Sequence, residues 1–401
     1  MNKTILIITN NSTCHTNYQG AAQVEKYFCE NGWEISNDID NDDYQYVVFY
    51  GCGVLTAFLK KCFNTIELLK KKDFPMNNIY IMGCIAKIYF NELSEYVPKE
   101  NLIEKQKQNL LDEIFLSDIK FDSINEVNLL NLPISPEKET FYIKIVEGCL
   151  KKCTYCVIKN AMPKLKSVPK EKILDQFKIA VSNNRRHIFF IAEDALCYGY
   201  DNGDNLFEVI NEMINYDQNF TLLIDQFHVR WFEQYYNEIV SLCKKGYIKR
   251  LYLSIQHVNN DILKSMGRDT DFKRTYKLIE EFKNQFPEID LFTDFIVGFP
   301  GETESQHQEM VDFIKHDTCF TSIQHLAYSD SKYAQSYHFD NKIPKNEVIK
   351  RWLKINSVAK EKSLYSGVKN QSDDKQFLDD ITQLVLLRQD YQVCKNSYSD
   401  L

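Results

Sequence analysis

The chain has 401 residues and a mass of 47.3 kDa, more than one ordinary domain holds, so two or three cores are expected and a disulfide-stapled miniprotein is excluded. Hydrophobic residues at 44% against charged residues at 26% exclude a disordered or fibrous chain. Lys+Arg 48 against Asp+Glu 56 gives a net charge of −8, the wrong sign for a protein whose whole surface grips nucleic acid, although a local basic patch stays compatible with it. The apolar run at 4–9 is too short for a secretion signal, and no stretch reaches the roughly eighteen apolar residues of a membrane span. A cytoplasmic protein without a membrane partner is therefore expected. In that reducing setting the twelve cysteines point to metal or redox chemistry before disulfides.

Residues 1–130 alternate apolar runs at 4–9, 46–50 and 78–82 with helix-period stretches at 17–31, 55–72 and 85–96. Continuous apolar strands joined by helical crossovers predict an α/β domain with a flavodoxin-like, doubly wound parallel sheet. Periodicity fades over 122–137, where Asn-Leu-Pro-Ile-Ser-Pro marks a linker. A second series has apolar runs at 141–147, 187–192, 220–224, 251–255, 289–297 and 322–326, each followed by a helical stretch, the last being 344–362. Six such units over 138–364 predict a partial (β/α)6 barrel in place of the closed eight. The tail, 365–401, has room for one hairpin from 381–387 and 391–393.

Cys149-Leu-Lys-Lys-Cys153-Thr-Tyr-Cys156 places three thiols just after the first strand of the second series. Loops after strand C-termini build the active end of a (β/α) barrel. Three thiolates on one tight loop can hold three irons of a [4Fe–4S] cube and leave the fourth open. A zinc site or three unrelated buried thiols is the alternative, although structural zinc normally takes four ligands and no fourth Cys or His lies nearby in sequence. Cys14, Cys52 and Cys84 each follow one of the first three strands, so all three fall at the carboxyl edge where open α/β sheets place ligands. They are expected to converge on a second incompletely ligated cluster. Cys29, Cys62, Cys243 and Cys319 lie in predicted helices or at their ends and read as ordinary core or helix cysteines.

The C-x3-C-x2-C motif with Tyr155 before its last cysteine resembles the signature of radical S-adenosylmethionine (SAM) enzymes. Together with Cys14-His-Thr-Asn17, Gly51-Cys52-Gly-Val54, Gly83-Cys84-Ile-Ala86 and Asp294-Phe-Ile-Val-Gly298-Phe-Pro300-Gly301-Glu302-Thr303-Glu304, it makes the chain similar to the radical SAM methylthiotransferase family. Met266-Gly-Arg268 and Tyr328-Ser329 echo two further family strings. The resemblance implies two [4Fe–4S] clusters and SAM. It assigns Cys149, Cys153 and Cys156 to the radical SAM cluster, and Cys14, Cys52 and Cys84 to the auxiliary cluster. One SAM would methylate a sulfur on the auxiliary cluster, and a second would yield the radical that opens the substrate carbon to the methylthio group. Tyr155, Glu193, Ser254, Gln256, Ile296 and Gly298 are the candidate SAM contacts. The alternatives are a plain turn at Pro300-Gly301 and an ordinary polar barrel rim at Ser254 and Gln256. Glu193 stands where the family usually has Gln. His187, His228 and His257 receive no catalytic role.

Two departures bear on substrate. The family ends in a five-stranded TRAM barrel, which needs about forty residues or more, and the tail after 364 holds two strand-like runs at most. Lys159-Asn-Ala-Met162-Pro163 replaces the usual Pro-x-x-Arg-Gly, and Val168 replaces an Arg, with Lys164 and Lys166 nearby. An acidic chain without its RNA-binding appendage is expected to modify a peptide or protein in preference to tRNA. An electron donor such as flavodoxin or ferredoxin and a monomeric state are also expected. The alternatives are a tRNA adenosine methylthiotransferase, a radical enzyme that inserts sulfur without methyl, and a non-catalytic scaffold that keeps a cluster for sensing.

Overall fold

A computed structural model describes residues 3–9, 14–40, 43–124, 140–162 and 164–361. The tail beyond 361 and most of the 122–137 linker lie outside the described residues. Two compact units divide the chain: one of residues 1–149, 157–192 and 199–220, the other of residues 150–156, 193–198 and 221–401.

In the first unit the strands are β1 (Thr4–Thr9), β2 (Glu34–Ser36), β3 (Tyr46–Tyr50), β4 (Ile79–Met82) and β5 (Leu102–Ile103). They form a parallel sheet in the order β2-β1-β3-β4-β5, the flavodoxin-like order. Its central strands are covered on both faces, which is why they read as unbroken apolar runs: Val47, Val48, Ile79 and Ile81 are all buried. The helix His15–Glu30 buries Ala21, Val24, Tyr27 and Phe28, spaced for one face, against this sheet. Sequence periodicity found three βα units and missed β2 and β5, whose three and two residues are too short to make a run. The expected helix at 85–96 breaks in two, Cys84–Ile88 and Phe90–Leu93, at Tyr89 (φ −112°, ψ 33°).

The same unit holds β6 (Thr140–Lys144), β7 (Val146–Gly148), β8 (Leu165–Ser167) and β9 (His187–Ile191). β6 pairs with β9 in parallel, whereas β7 pairs with β8 antiparallel. The expected strand over 141–147 thus changes partner at Ile145, whose N–H donates to Ile191 while its carbonyl accepts from Val168 N–H. The second unit contains β10 (Thr221–His228), β11 (Ile248–Gln256), β12 (Asp290–Val297) and β13 (Ser322–Ala327), a continuous parallel ladder. Helices Lys170–Ser182, Leu206–Tyr216, Tyr236–Lys244, Phe272–Gln285, Glu304–His316 and Lys345–Glu361 follow β6, β9, β10, β11, β12 and β13 in turn, the alternation of a partial (β/α)6 barrel. No helix among the described residues is long and apolar enough to cross a membrane.

Candidate active site

The first cysteine set is assembled by strand register. Thr9 pairs with Tyr50 and Tyr50 with Met82, so β1, β3 and β4 end level, and Cys14, Cys52 and Cys84 emerge from that one edge. β1 and β3 flank the point where strand order reverses, the usual ligand crevice of this topology. The β3 and β4 loops are tied by backbone: Gly51 N–H donates to Met82 O at 2.9 Å, and Ile85 N–H to Gly51 O at 3.1 Å. Gly83, at φ +86°, allows this approach, since a Cβ there would lie 2.6 Å from Gly51 O. Asn17 N–H, 3.0 Å from Cys14 O, folds the β1 loop into the adjoining helix.

The three thiols sense one another. A hydrogen bond with Cys14, burial, and the proximity of Cys14 and Cys84 together push the Cys52 thiol well above its ordinary range, opposed by the Val54 backbone. Cys52 is buried and Cys14 and Cys84 are partly exposed; deprotonated together, the three would need a cationic partner, and an iron–sulfur cluster with cysteine ligation fits that donor set. Among the described residues no three His, Cys, Asp or Glu side chains converge as ligands of one metal ion. A cube differs from a single ion in that each cysteine binds a separate corner.

The second set lies on the loop after β7. Cys153 is buried, whereas Cys149 and Cys156 are partly exposed. Hydrogen bonds strap this loop to the end of helix Asn260–Ser265 and the turn after it: the Thr154 N–H donates to Met266 O at 2.9 Å, and its hydroxyl Oγ1 to Ser265 O at 2.9 Å. Gly267, at φ +74°, lets the strands of the turn close up, because a Cβ there would sit 2.9 Å from Lys152 O. Arg268 follows and is buried. Its Nη1 donates to Tyr155 Oη at 3.0 Å and lies 3.6 Å from Cys153 Sγ, while Nη2 donates to Ser254 O. Arg268 belongs to the Met-Gly-Arg string, but its contact with the cysteine loop spans more than a hundred residues, and sequence spacing carried no sign of it.

The expected SAM contacts fall into two groups. Tyr155 and Ile296 join one apolar cluster with Met266, Phe299 and Tyr328. Ser254 and Gln256, at the end of β11, both bond Asp294 on β12, Gln256 Nε2 at 2.6 Å from Asp294 Oδ2. Gln256 holds φ +78°, a left-handed geometry that costs a non-glycine residue about 1–3 kcal/mol. Burial pushes Asp294 up to about 6, against the Arg268 charge and the Gln256 and Ser254 hydrogen bonds. Its Oδ1 is buried and accepts no hydrogen bond from the described residues. Glu193 is partly buried with one oxygen shielded from solvent. Its neighbour Asp194 has a structural task instead, accepting from His228 N–H at 3.1 Å and Trp231 Nε1 at 2.9 Å.

Gly298 is held from behind. Its N–H donates to Glu302 Oε2 at 2.9 Å, and Glu302 Oε1 accepts from Arg351 Nη1 at 2.9 Å. Both charges are buried. His257 Nε2 and His307 Nδ1 stand 3.5 and 3.6 Å from the carboxylate. Burial tends to raise Glu302, but hydrogen bonding and charge from His257, with the Gly298 amide, bring it below the ordinary carboxylate range. Thus Pro300-Gly301 is a turn, and the same turn fixes the residue that follows Ile296 and Val297 at the strand end.

A sequence profile of the radical SAM superfamily matches residues 143–314, and the profile described as uncharacterized protein family UPF0004 matches residues 7–104. The ribosomal protein uS12 methylthiotransferase RimO of Protochlamydia amoebophila is 28% identical over 346 residues, 82% of this chain and 71% of that protein. A probable threonylcarbamoyladenosine tRNA methylthiotransferase of Pyrococcus abyssi is 30% identical over 285 residues, 69% of this chain and 66% of that one. In fold the chain is similar to the radical SAM methyltransferase TsrM of Kitasatospora setae, with a TM-score of 0.58 at 12% identity, covering 99% of this chain and 100% of that one. The two profiles fall on the two cysteine sets, and the sequence relatives named here are methylthiotransferases: the chain belongs to the radical SAM methylthiotransferase family.

Proposed function

We propose that this enzyme attaches a methylthio group to an unactivated carbon of a protein or peptide substrate, using two [4Fe–4S] clusters and SAM. The observation that carries the two-cluster reading is the level ending of β1, β3 and β4, which brings Cys14, Cys52 and Cys84 to one edge although the sequence keeps them far apart. When bound, these groups supply reductive cleavage of SAM to a hydrogen-abstracting radical at the Cys149, Cys153 and Cys156 site, and a transferable sulfur at the other.

The chain's own residues bind and orient. Arg268 neutralises the buried face of the cysteine loop and ties Tyr155 to the end of β11. Tyr155 and Ile296 offer an apolar wall for the adenine, and buried Gly298, at φ +80°, turns the backbone at the strand end beside it. Asp294 Oδ1 is an acceptor aimed at a ligand hydroxyl or ammonium, and Glu193 is the candidate partner of the SAM amine. Closure of apolar residues such as Met266, Phe299 and Tyr328 around this site excludes water from a reactive radical.

The protein substrate is supported by the net charge of −8 and by the uS12-modifying relatives. A ribosomal-protein loop lying extended in a groove is the form it would take. The tRNA reading keeps specific support in relatives such as that from Pyrococcus abyssi. Anaerobic incubation with SAM and reductant, followed by mass spectrometry of a uS12 loop peptide and of bulk tRNA, separates them. A methylthio mass gain on the peptide alone is expected. A gain on tRNA alone would transfer the assignment to RNA, and addition of sulfur without methyl would overturn methylthiotransfer.

A further inference from the structure

A buried seam in the first unit joins the auxiliary sheet to the strand that leads to Cys149. Lys105, just after β5, places Nζ 3.4 Å from Glu147 Oε1, and its side chain is only 6% exposed. Lys144 on β6 pairs with the same carboxylate oxygen. The next residue, Gln106, donates from Nε2 to Ala161 O at 3.0 Å, and Lys105 Nζ lies 3.8 Å from Met162 Sδ. Gln108 donates to Tyr50 Oη at 3.0 Å, tying the same turn to the last residue of β3, the strand that leads to Cys52. A second contact runs parallel to this one. The ring of His15, adjacent to Cys14, stands 5.5 Å from Tyr142 on β6 and 4.5 Å from Phe189 on β9.

The charges give the seam its direction. Glu147 is two residues before Cys149, and Lys105 comes from the opposite sheet, so their pair links the carrier of one cysteine set to the carrier of the other. Two lysines share one carboxylate, so losing either leaves the carboxylate with a cation, but only Lys105 reaches across from β5. Lys144 belongs to the same strand segment as Glu147 and cannot register it against anything else.

We propose that Lys105 is a positioning residue for sulfur transfer: by clasping Glu147 it fixes the strand end that delivers Cys149 against the sheet edge that carries Cys14, Cys52 and Cys84. The proposal rests on the two-cluster function above. SAM cleavage needs only the Cys149, Cys153 and Cys156 site, whereas transfer needs both sites in register, and a misplacement of about 1 Å can cost about a hundredfold in such a step.

The test compares Lys105→Met, Lys105→Gln and Lys105→Arg with the unaltered chain. Two readouts are taken: hydrogen–deuterium exchange of amides 142–148 in the cluster-free protein, and the ratio of methylthio product to deoxyadenosine in the reconstituted one. In Lys105→Met or Lys105→Gln exchange at 142–148 should rise at least fivefold. The product ratio should fall at least tenfold, with deoxyadenosine formation within about twofold of normal, and Lys105→Arg should restore both. Should Lys105→Met fail to fold, Lys105→Gln decides. Unchanged exchange, or a product ratio that holds while exchange rises, overturns the positioning role. A normal enzyme holding a single cluster overturns the functional reading instead, and iron content of the unaltered chain identifies that case.

Discussion

Replacing Glu302 by Gln keeps the shape of the side chain and removes its charge. In the native protein one oxygen accepts the Gly298 amide and the other the Arg351 guanidinium, each at 2.9 Å, with the carboxylate fully buried. An amide cannot serve both donors, so either Gly298 N–H or Arg351 Nη1 faces an NH2 group. Removing one partner of a buried ion pair costs about 3–5 kcal/mol. Arg351 retains Glu347 at 3.2 Å and Glu304 at 3.4 Å, both more exposed, which places the expected loss at the lower end, about 3 kcal/mol. Urea unfolding of the cluster-free chain measures it as a shift in midpoint at constant slope. Arg351→Met in the same background should recover at least about 1 kcal/mol of the summed losses, because the second change removes the stranded cation. SAM affinity of the reconstituted protein should weaken at least tenfold, about 1.4 kcal/mol, through the loosened Gly298 amide. A midpoint shift worth less than about 0.5 kcal/mol, the usual range for a surface change, would refute the reasoning.

Arg268→Met should leave Tyr155 and the Ser254 carbonyl without their shared donor and reduce deoxyadenosine formation at least a hundredfold, read by chromatography of quenched reactions; Arg268→Lys, lacking the planar fork, should not rescue it. Gly83→Ala should cost about 2 kcal/mol or more, since it meets both a positive φ and a carbonyl 2.6 Å away, and calorimetry of the cluster-free chain checks it. Acidification from pH 7.5 to 5.5 should destabilise the fold. Burial brings His228 down to about 2 and His325 to about 4, so both stay neutral when folded and take up protons only when unfolded. Their stabilising effect is present above the unfolded value near 6.5 and lost below it, about 1.4 kcal/mol each over this interval. Asp294, pushed up to about 6, opposes this by just under about 1 kcal/mol, leaving a net loss of roughly 2 kcal/mol in urea titrations at the two pH values.

The strand-end cysteines were legible because parallel buried strands announce themselves as apolar runs, and the residue after such a run falls on a known edge. Cys52 and Cys84 needed no more than that. β2 and β5 were not legible, because two or three residues have no period. Nor was the change of partner at Ile145, which depends on Val168 and Ile191 arriving from elsewhere in the chain. Among the proposed site residues, Ile296 and Gly298 stand in a motif, while the Arg268 contact with Tyr155 and the Lys105 contact with Glu147 join segments distant in sequence. Such contacts follow from packing, and a linear pattern holds no record of them.

The central claim is that two separate cysteine sets each hold a cube. Iron and sulfide analysis with Mössbauer spectroscopy, on the anaerobically reconstituted chain and on a Cys14→Ala/Cys52→Ala/Cys84→Ala variant, tests it most directly. About eight irons in two [4Fe–4S] clusters, falling to about four in the variant with the remaining cluster still cleaving SAM, is the predicted result. About four irons in the unaltered chain, unchanged by the triple substitution, would contradict it.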